Sequence, residues 1–372
     1  MRKVAIILPT YNEAGNIEKL IPQIFEEIKD PGLAKNWEIH LVVVDSQSSD
    51  GTAKIVSDLI KKYPRIHLLE TKKEGLGRAY LEGFKFALDN INPYLFFEMD
   101  ADLSHQPKEI PIFIKKIEKG ADFVIGSRYT KGGSIPKDWE IHRKLFSIIG
   151  NLIIRLGFMK LSITDWTSGY RAFKSWIVKN AINHIKNYSG YVFQVAFLDF
   201  ALKNDANIVE TPIQFKERRW GISKINAFQY IFQTIIYVFL NSSFIKFVIV
   251  GLIGFVVDFG ISYLGIQKLH QSVFLTTIIS TETAIISNFL LNNFWSFSHK
   301  KIKGLSGHFF AGFFKFNLVS SGSIIIQSAG MQILTNIFGR KFWYLFKILI
   351  ITFIIIPYSY ILYNKIIWKG KK

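Results

Sequence analysis

Residues 94–102 read Tyr-Leu-Phe-Phe-Glu-Met-Asp-Ala-Asp, an apolar run that ends in two carboxylates one residue apart. Such continuous apolar runs are typical of strands that are buried on both faces, as in parallel sheets. Asp100 and Asp102 would then stand at the carboxyl end of a buried strand. A carboxylate pair at this place can share Mg²⁺ or Mn²⁺, which would complete its shell with water and diphosphate oxygens.

Predicted strands and helices alternate on both sides of this run. The predicted strands cover residues 4–8, 38–44, 66–69, 94–99 and 122–126, and the predicted helices cover 14–29, 49–63, 76–88 and 107–119. This order predicts an α/β fold with a doubly wound, mostly parallel sheet. Ligands of such sheets bind beyond the carboxyl ends of the strands. Pro9, Asp45, Asp100 and Arg128 fall at those ends.

The second half of the chain is strongly apolar and basic. Four apolar segments are each long enough to span the ~30 Å hydrocarbon layer of a membrane. They cover residues 243–266, 273–297, 309–338 and 342–367. After residue 225 there are only two acidic residues against thirteen Lys and Arg, so this half holds +11 of the formal net charge of +18. Because the basic residues flank apolar runs, we expect anionic membrane lipid, and not nucleic acid, as the partner.

Basic residues are uneven among the connectors of these segments. The connector between the second and third segments and the C-terminal tail hold seven: Lys300, Lys301, Lys303, Lys365, Lys369, Lys371 and Lys372. The other two connectors hold three: Lys268, Arg340 and Lys341. The positive-inside rule therefore puts the tail and the middle connector in the cytoplasm. With four spans the N-terminal domain is expected there too, and residues 1–8 lack the long apolar stretch of a signal peptide.

Two further apolar stretches, residues 145–161 and 227–240, are too short to span a membrane with ease. Each is compatible with an amphipathic helix in the membrane interface. Each is equally compatible with a helix that faces the protein core. The sequence leaves both interpretations open.

The residue types available for catalysis point to charge neutralisation. The chain has no cysteine, which excludes disulfides, thiol nucleophiles and cysteine-ligated metals. Its eight histidines show no paired metal spacing. Several basic residues accompany the single Asp-x-Asp pair: Arg128, Arg143, Arg218, Arg219 and Lys224. A phosphate monoester is already anionic at pH 7 and needs no general base, whereas joining it to a diphosphate needs cations.

Five motifs follow one another in the first half of the chain. They are PTYNE at 9–13, VVVDSQSSDGT at 42–52, GLGRA at 75–79, DADLSH at 100–105 and GSRY at 126–129. This ordered set resembles the family-2 glycosyltransferases with the GT-A fold. The segments DWTSGYR at 165–171 and FKERRWGISK at 215–224 look like the dolichol-phosphate mannose synthase branch. The four apolar segments resemble the GtrA-like membrane domain that some members carry.

The resemblance implies three regions and one reaction. Residues 1–225 would be a cytoplasmic GT-A catalytic domain, residues 226–242 an interfacial helix or linker, and residues 243–372 a GtrA-like transmembrane domain with four helices. The implied reaction is an inverting, metal-dependent transfer of mannose from GDP-mannose to dolichyl (polyprenyl) phosphate. It would take place on the cytoplasmic face of the cell membrane.

The resemblance also implies roles for individual residues. The nucleoside would be held by Pro9, Tyr11, Glu13, Val43 and Asp45. The donor diphosphate and Mg²⁺ or Mn²⁺ would meet Asp100, Ala101 and Asp102, with Ser104 at the position of a third metal ligand. The acceptor phosphate would contact Arg128, Arg143 and Ser147. Arg218 and Lys224 would close over the donor, and Asp102 and Arg128 would be catalytic.

Other functions are compatible with parts of the sequence. A related enzyme that uses UDP-glucose would share most motifs, although Arg-x-x-Gly-x-Ser-Lys at 218–224 favours GDP-mannose. A lipid-linked sugar carrier or flippase could use the first domain only to bind nucleotide. Processive synthases usually carry Gln-x-x-Arg-Trp, but Lys216 stands three residues before Arg219. Ser46 and Ser104 depart from common family residues, which leaves the base specificity and the third metal ligand open.

Overall fold

The computed structural model describes residues 1–29, 31–188, 190, 192–217, 227–304, 307–339 and 341–369. The chain divides into two compact units, Met1–Val238 and Phe239–Lys372. The first unit is an α/β structure and the second is helical. The three regions predicted from the resemblance, with limits at residues 225 and 242, stay a prediction.

A seven-stranded sheet forms the centre of the first unit. Its strands are β1 (Arg2–Thr10), β2 (Trp37–Asp45), β3 (Ile66–Glu70), β4 (Leu95–Glu98), β5 (Phe123–Ser127), β6 (Arg171–Lys174) and β7 (Ile208–Pro212). They lie in the order β3-β2-β1-β4-β6-β5-β7. Only β6 is antiparallel to its neighbours, β4 and β5. The predicted doubly wound, mostly parallel sheet is confirmed.

Nine helices connect and cover these strands in the described part of the chain. They are α1 (Ala14–Glu27), α2 (Pro31–Ala34), α3 (Thr52–Lys62), α4 (Leu76–Asn90), α5 (Ile110–Glu118), α6 (Ile141–Phe158), α7 (Ser175–Ile185), α8 (Val192–Lys203) and α9 (Ala227–Asn241). The first five strands and the helices α1, α3, α4 and α5 agree with the prediction to within a few residues. Strands β6 and β7 and helices α2, α7 and α8 were not predicted from the sequence.

Asp50 caps the starts of two helices, α1 and α3, at the carboxyl ends of β1 and β2. Its Oδ1 accepts hydrogen bonds from the main-chain N–H (3.1 Å) and the hydroxyl (2.6 Å) of Thr52, at the start of α3. Its Oδ2 accepts one from the main-chain N–H of Ala14 (2.9 Å), at the start of α1. Helix N-termini leave main-chain donors without internal partners, and a carboxylate satisfies them well. One side chain therefore ties α1 and α3 together.

Helix α4 approaches the sheet closely at Gly83. A Cβ atom at this position would lie 2.6 Å from Cγ2 of Ile7 and 2.9 Å from Cγ2 of Val44. Both neighbours are fully buried in β1 and β2. Because the interior is densely packed, neither can move far. Because glycine has no Cβ atom, the helix can pack this close to the sheet.

The second unit consists of long apolar helices. They are α10 (Ser243–Tyr263), α11 (Val273–Leu291), α12 (Gly307–Phe338), α13 (Trp343–Ile350) and α14 (Ile356–Leu362). Together with the π-helical turns that continue them, they form four helices long and apolar enough to cross a membrane. These cover Ser243–Lys268, Val273–Ser296, Gly307–Phe338 and Leu345–Ile367. The four predicted spans are confirmed as apolar helices of sufficient length.

Polar side chains inside the second unit bond between helices. The Ser280 hydroxyl of α11 donates to Oδ1 of Asp258 in α10 (2.7 Å). The indole N–H of Trp368 donates to Oδ1 of Asn293 (2.9 Å), which joins the end of the fourth span to the end of the second. Such bonds hold helices together where the surrounding lipid offers polar groups no partner.

We predict that Gly83→Ala lowers the free energy of unfolding of the first unit by about 1–3 kcal/mol, because the added methyl overpacks the interface between α4 and the sheet. Gly15→Ala in α1 is the matched control, since a Cβ there meets nothing within 4 Å. Thermal unfolding of the two purified variants beside the unmodified protein measures the difference. Equal midpoints for both variants would contradict the proposed close packing.

Candidate active site

The chain arrangement brings the ends of several strands to one edge of the sheet. The segments that follow β4 and β5 carry Asp100, Asp102 and Arg128, and all three line a cavity of about 480 Å³ in the first unit. The antiparallel strand β6 begins at this same edge, because Arg171 pairs with Glu98. The segment before β6 therefore also reaches the cavity, with Thr167, Ser168 and Gly169.

The carboxylate pair sits on a tight turn. Leu103 has a φ of 64°, a left-handed conformation that is uncommon for residues other than glycine. This turn folds Ser104 back onto Asp102, whose Oδ1 accepts bonds from the main-chain N–H (3.0 Å) and the hydroxyl (2.6 Å) of Ser104. Asp102 is mostly buried and Asp100 is more exposed. The turn therefore fixes the orientation of Asp102 toward the cavity.

His105 lies beside this pair as a neutral group. Its Nδ1 accepts a hydrogen bond from the main-chain N–H of Asp100 (3.0 Å), so the ring proton resides on Nε2. Burial lowers the pKa of His105 to about 4, against the opposing effect of the nearby Asp102 carboxylate. His105 stacks on Tyr170, with the ring centroids 4.7 Å apart. The histidine supports the turn and is not arranged as a metal ligand.

The donor set fits a divalent cation that also binds substrate. Asp100 and Asp102 both face the cavity. Among the described residues, no group of three or more His, Cys, Asp or Glu side chains is placed to enclose a metal. Mg²⁺ and Mn²⁺ accept such an incomplete set, because water and phosphate oxygens supply the rest. Ser104 is almost fully buried behind Asp102, so its predicted role as third ligand stays a prediction.

Arg128 is held by a buried carboxylate. Its Nε and Nη2 donate to the two oxygens of Asp165, both at 2.7 Å, and Nη2 also donates to the Thr167 hydroxyl (2.8 Å). Burial alone would lower the pKa of Arg128, but Asp165 outweighs it and the net pKa is raised. In the same way the guanidinium outweighs burial and lowers the pKa of Asp165. The pair is therefore charged at every physiological pH.

The remaining guanidinium nitrogen of Arg128 is available to a ligand. Within the described part of the chain, Nη1 makes no hydrogen bond, while Arg128 borders the cavity. The segment that carries Asp165 is held in turn by Glu210 of β7. Both carboxylate oxygens of Glu210 accept hydrogen bonds from Thr164, and Oε1 also accepts one from the main-chain N–H of Asp165 (2.9 Å). The orientation of Arg128 is thus set directly by Asp165 and indirectly by Glu210, which holds the segment around Asp165.

Asn151 connects this loop to helix α6. Its Nδ2 donates to the Thr167 hydroxyl (3.2 Å) and to the main-chain oxygen of Ser147 (2.9 Å), and its Oδ1 accepts from the N–H of Trp166 (2.7 Å). Ser147 in turn lies 2.5 Å from the hydroxyl of Tyr129. Sequence reasoning gave Asp165, Glu210 and Asn151 no role. Asp165 was within a recognised motif, whereas the other two left no signal beyond their residue type.

Arg143 and Ser147, predicted to contact the acceptor phosphate, both line the cavity with Arg128. Arg143 donates from Nη1 to Glu217 (3.2 Å), and its guanidinium carbon lies 4.0 Å from the ring centroid of Trp139. It is 40% exposed, so its ion pair with Glu217 is weak. An entering anion can displace Glu217 at low cost.

Apolar side chains form much of the remaining cavity wall. Helix α6 contributes Phe146, Ile153 and Ile154, and helix α9 contributes Ile231 and Ile235. The outer face of α6 is exposed and apolar as well, through Ile141, Leu145, Ile148, Ile149, Leu152 and Leu156. One cavity thus combines two carboxylates, two guanidinium groups and an apolar lining.

The residues predicted to hold the nucleoside lie outside the lining of this cavity. Asp45 is buried and accepts from the hydroxyls of Thr10 (2.9 Å) and Ser48 (2.6 Å). Tyr11 lies under Lys73, whose Nζ is 3.7 Å from its ring centroid. The others are Pro9 in β1, Glu13 before α1 and Val43 in the core of β2. Ala101, predicted to meet the donor diphosphate, is buried and also lies outside this lining. Arg218 and Lys224 lie outside the described residues. These roles stay predictions.

We predict that Asp165→Asn destabilises the first unit by about 3–5 kcal/mol, because it leaves the Arg128 guanidinium buried without its counter-ion. Asp58→Asn is the matched control, since Asp58 pairs with Lys61 on the surface and exposed ion pairs contribute little to stability. Denaturant or thermal unfolding measures both. A loss for Asp165→Asn no larger than for Asp58→Asn would contradict the central role of this pair.

Comparison with known proteins identifies the two parts of the chain. Residues 5–185 match the model of glycosyl transferase family 2. Residues 246–368 match the GtrA/DPMS transmembrane domain.

Three curated relatives are identical to this chain at about a third of the aligned positions. The dolichol-phosphate mannosyltransferase of Pyrococcus furiosus is 34% identical over 334 residues, which cover 87% of this chain and 88% of that protein. The polyprenol monophosphomannose synthase of Mycolicibacterium smegmatis is 34% identical over 228 residues (61% and 82%). The undecaprenyl-phosphate mannosyltransferase of Micrococcus luteus is 35% identical over 226 residues (60% and 88%). This chain belongs to glycosyl transferase family 2, in the branch that contains these enzymes, and is a GT-A glycosyltransferase with a GtrA/DPMS transmembrane domain.

Proposed function

We propose that this enzyme transfers mannose from GDP-mannose to dolichyl or another polyprenyl phosphate, with inversion, on the cytoplasmic face of the membrane. The names of all three relatives combine mannose with dolichol, polyprenol or undecaprenyl phosphate, which supports this substrate class. The four apolar helices support a lipid acceptor, since an enzyme confined to the bilayer meets such a substrate at high effective concentration.

The observation that carries the proposal is the mixed character of the one cavity. A polyprenyl phosphate has an anionic head and an apolar tail, and a nucleotide sugar brings a diphosphate. Asp100 and Asp102 suit the diphosphate with its cation, and Arg128 and Arg143 suit the acceptor phosphate. The apolar residues of α6 and α9 suit the first isoprene units.

The transfer is a direct displacement at the anomeric carbon of mannose. An oxygen of the acceptor phosphate forms the new bond to this carbon, while its bond to the β-phosphate oxygen breaks and GDP leaves with the electron pair. No proton is removed, because the acceptor phosphate is already anionic. The protein therefore has to position and neutralise charge, and Arg128 is fixed for this work by Asp165.

Mg²⁺ or Mn²⁺ held by Asp100 and Asp102 would neutralise the negative charge that develops on the departing diphosphate. The hydroxyl and N–H of Ser104 keep Asp102 in one orientation for this purpose. His105 stays neutral beside the pair and so does not compete for the carboxylates as a cation.

Two helices of the first unit support its placement at a membrane. The exposed apolar face of α6 and the exposed Phe232, Ile235 and Ile236 of α9 would otherwise contact water. Such faces are typical of helices that lie in the membrane interface. We propose that residues 226–242 form this interfacial element between the catalytic region 1–225 and the transmembrane region 243–372.

The test of the reaction is transfer of labelled sugar from GDP-mannose, UDP-glucose and other nucleotide sugars into solvent-extractable lipid. Dolichyl phosphate is the acceptor, and each donor is assayed with Mg²⁺, with Mn²⁺ and with chelator. We expect metal-dependent labelling from GDP-mannose that falls at least roughly 100-fold in Asp102→Asn.

Asp58→Asn is the control for this substitution and should retain full transfer, since Asp58 forms a surface ion pair. Labelling from UDP-glucose alone would correct the sugar and keep the reaction class. Absence of lipid labelling with every donor would refute the transferase and favour a carrier of lipid-linked sugar.

The proposed orientation predicts which connectors face the cytoplasm. The chain has no native cysteine, so single-cysteine variants can be labelled without background. In intact cells, a membrane-impermeant maleimide should label Gln271→Cys, in the first connector, but neither Lys301→Cys nor Ser57→Cys. All three should react after the membrane is permeabilised. Labelling of Lys301→Cys in intact cells would invert the orientation.

A further inference from the structure

Gln194 of α8 is a buried polar residue whose side chain the reaction described so far does not use. It is 3% exposed and lines the cavity. In the described part of the chain, neither its Oε1 nor its Nε2 makes a hydrogen bond of regular geometry. The buried Glu98 carboxylate is close by: burial raises the pKa of Glu98 to about 7, and the Gln194 side chain opposes this rise. Glu98 can accept from only one N–H of the amide, so Oε1 and the second N–H are left for a ligand at the cavity wall.

The main chain at Gln194 is held firmly. Arg171 of β6 is fully buried, and its Nη1 donates to the main-chain oxygen of Gln194 (2.7 Å). The Nη2 of the same guanidinium donates to the main-chain oxygen of Trp166 (2.8 Å). Arg171 is also the pairing partner of Glu98, two residues before Asp100. The position of Gln194 is therefore set relative to the carboxylate pair and to the loop that holds Arg128.

The far end of α8 is anchored as well. Asp199 is buried and its Oδ2 accepts hydrogen bonds from the Tyr237 hydroxyl of α9 (2.8 Å) and from Nζ of Lys203 (2.7 Å). Helix α8 is thus fixed at both ends, and Gln194 is presented to the cavity from a rigid element. Rigid placement is what a selective binding group needs.

The chemistry of an amide identifies the part of the substrates that it suits. An amide offers one acceptor oxygen and two N–H donors, which match neighbouring hydroxyl groups that both donate and accept. The diphosphate offers only acceptors, and the polyprenyl tail offers neither. The donor carries two polyols, its ribose and its hexose. The residues predicted to hold the nucleoside lie outside the lining of this cavity, so the hexose next to the diphosphate at Asp100 and Asp102 is the polyol that Gln194 suits.

We propose that the side chain of Gln194 binds hydroxyl groups of the donor hexose and is a determinant of which sugar is transferred. This inference rests on the proposed function, in which a nucleotide hexose occupies the cavity. Sites built to bond a hydroxyl reject analogues that lack it, because the buried protein group is then left without a partner. Gln194 would discriminate among donors in this way.

The test compares Gln194→Leu with the unmodified enzyme on GDP-mannose and on analogues that each lack one hydroxyl, at C2, C3, C4 or C6. We expect kcat/KM for GDP-mannose to fall roughly 10- to 100-fold in Gln194→Leu. At least one deoxy analogue should be poor for the unmodified enzyme by a similar factor. For that analogue, Gln194→Leu should lower kcat/KM only slightly further, because the hydrogen bond between Gln194 and the missing hydroxyl is already absent.

Two further measurements separate sugar binding from a structural role. The affinity for GDP, which has the ribose but lacks the hexose, should be unchanged in Gln194→Leu. Gln23→Leu is the matched control, because Gln23 is exposed on α1 and outside the cavity. Gln194→Glu keeps the size of the side chain and replaces the leucine variant if the latter does not fold.

The outcomes are distinct. If the loss in kcat/KM caused by Gln194→Leu multiplies with the loss caused by the missing hydroxyl for every deoxy analogue, the proposed role of Gln194 is wrong. A weaker affinity for GDP in Gln194→Leu would also contradict it. If the unmodified enzyme transfers no mannose to lipid, the proposed function fails by itself. Gln194 is then tested by the affinity for UDP-glucose relative to UDP, and an unchanged ratio in Gln194→Leu would refute the inference.

Discussion

The buried ion pair between Arg128 and Asp165 connects most parts of the catalytic unit. Its two parallel hydrogen bonds join the end of β5 to the segment before β6. Through Glu210 the same segment is tied to β7, and through Asn151 it is tied to α6. Two charges buried together are stable only with near-ideal geometry. The cavity wall therefore forms as a unit, and the cationic side of the site cannot loosen without disturbing the sheet.

The sequence predicted well those elements whose pattern is local. Strands β1, β2 and β4 each contain a short apolar run, and Asp45 and Asp100 at the ends of the runs in β2 and β4 are visible without a structure. Strand β6 could not be found in this way, because it has four residues and includes Arg171, which reads as a surface residue but is buried. The carboxylate pair was predicted from its place after a strand. The partners of Arg128 are 37 to 39 residues away along the chain, and only the fold shows the pairing.

The site divides its work between fixed and displaceable charges. Arg128 has a buried partner that no substrate can replace without leaving Asp165 uncompensated. Arg143 has a half-exposed partner, Glu217, and rests on Trp139. Arg128 therefore stays paired with Asp165 throughout, whereas Arg143 can exchange Glu217 for an incoming anion. The neutral His105 adds no third charge near the carboxylates.

The reversed direction of β6 has a consequence for how this fold diversifies. Segments that follow parallel strands reach the reactive edge from one direction along the chain, whereas the segment before β6 arrives at the same edge from the other. Residues 164–167 of this segment bond to Arg128, Glu210 and Asn151, so they cannot change freely. Variation in this wall of the pocket is therefore confined to the residues that precede Thr164. A change of length there enters the pocket from the side opposite to the strands that carry Asp100 and Asp102.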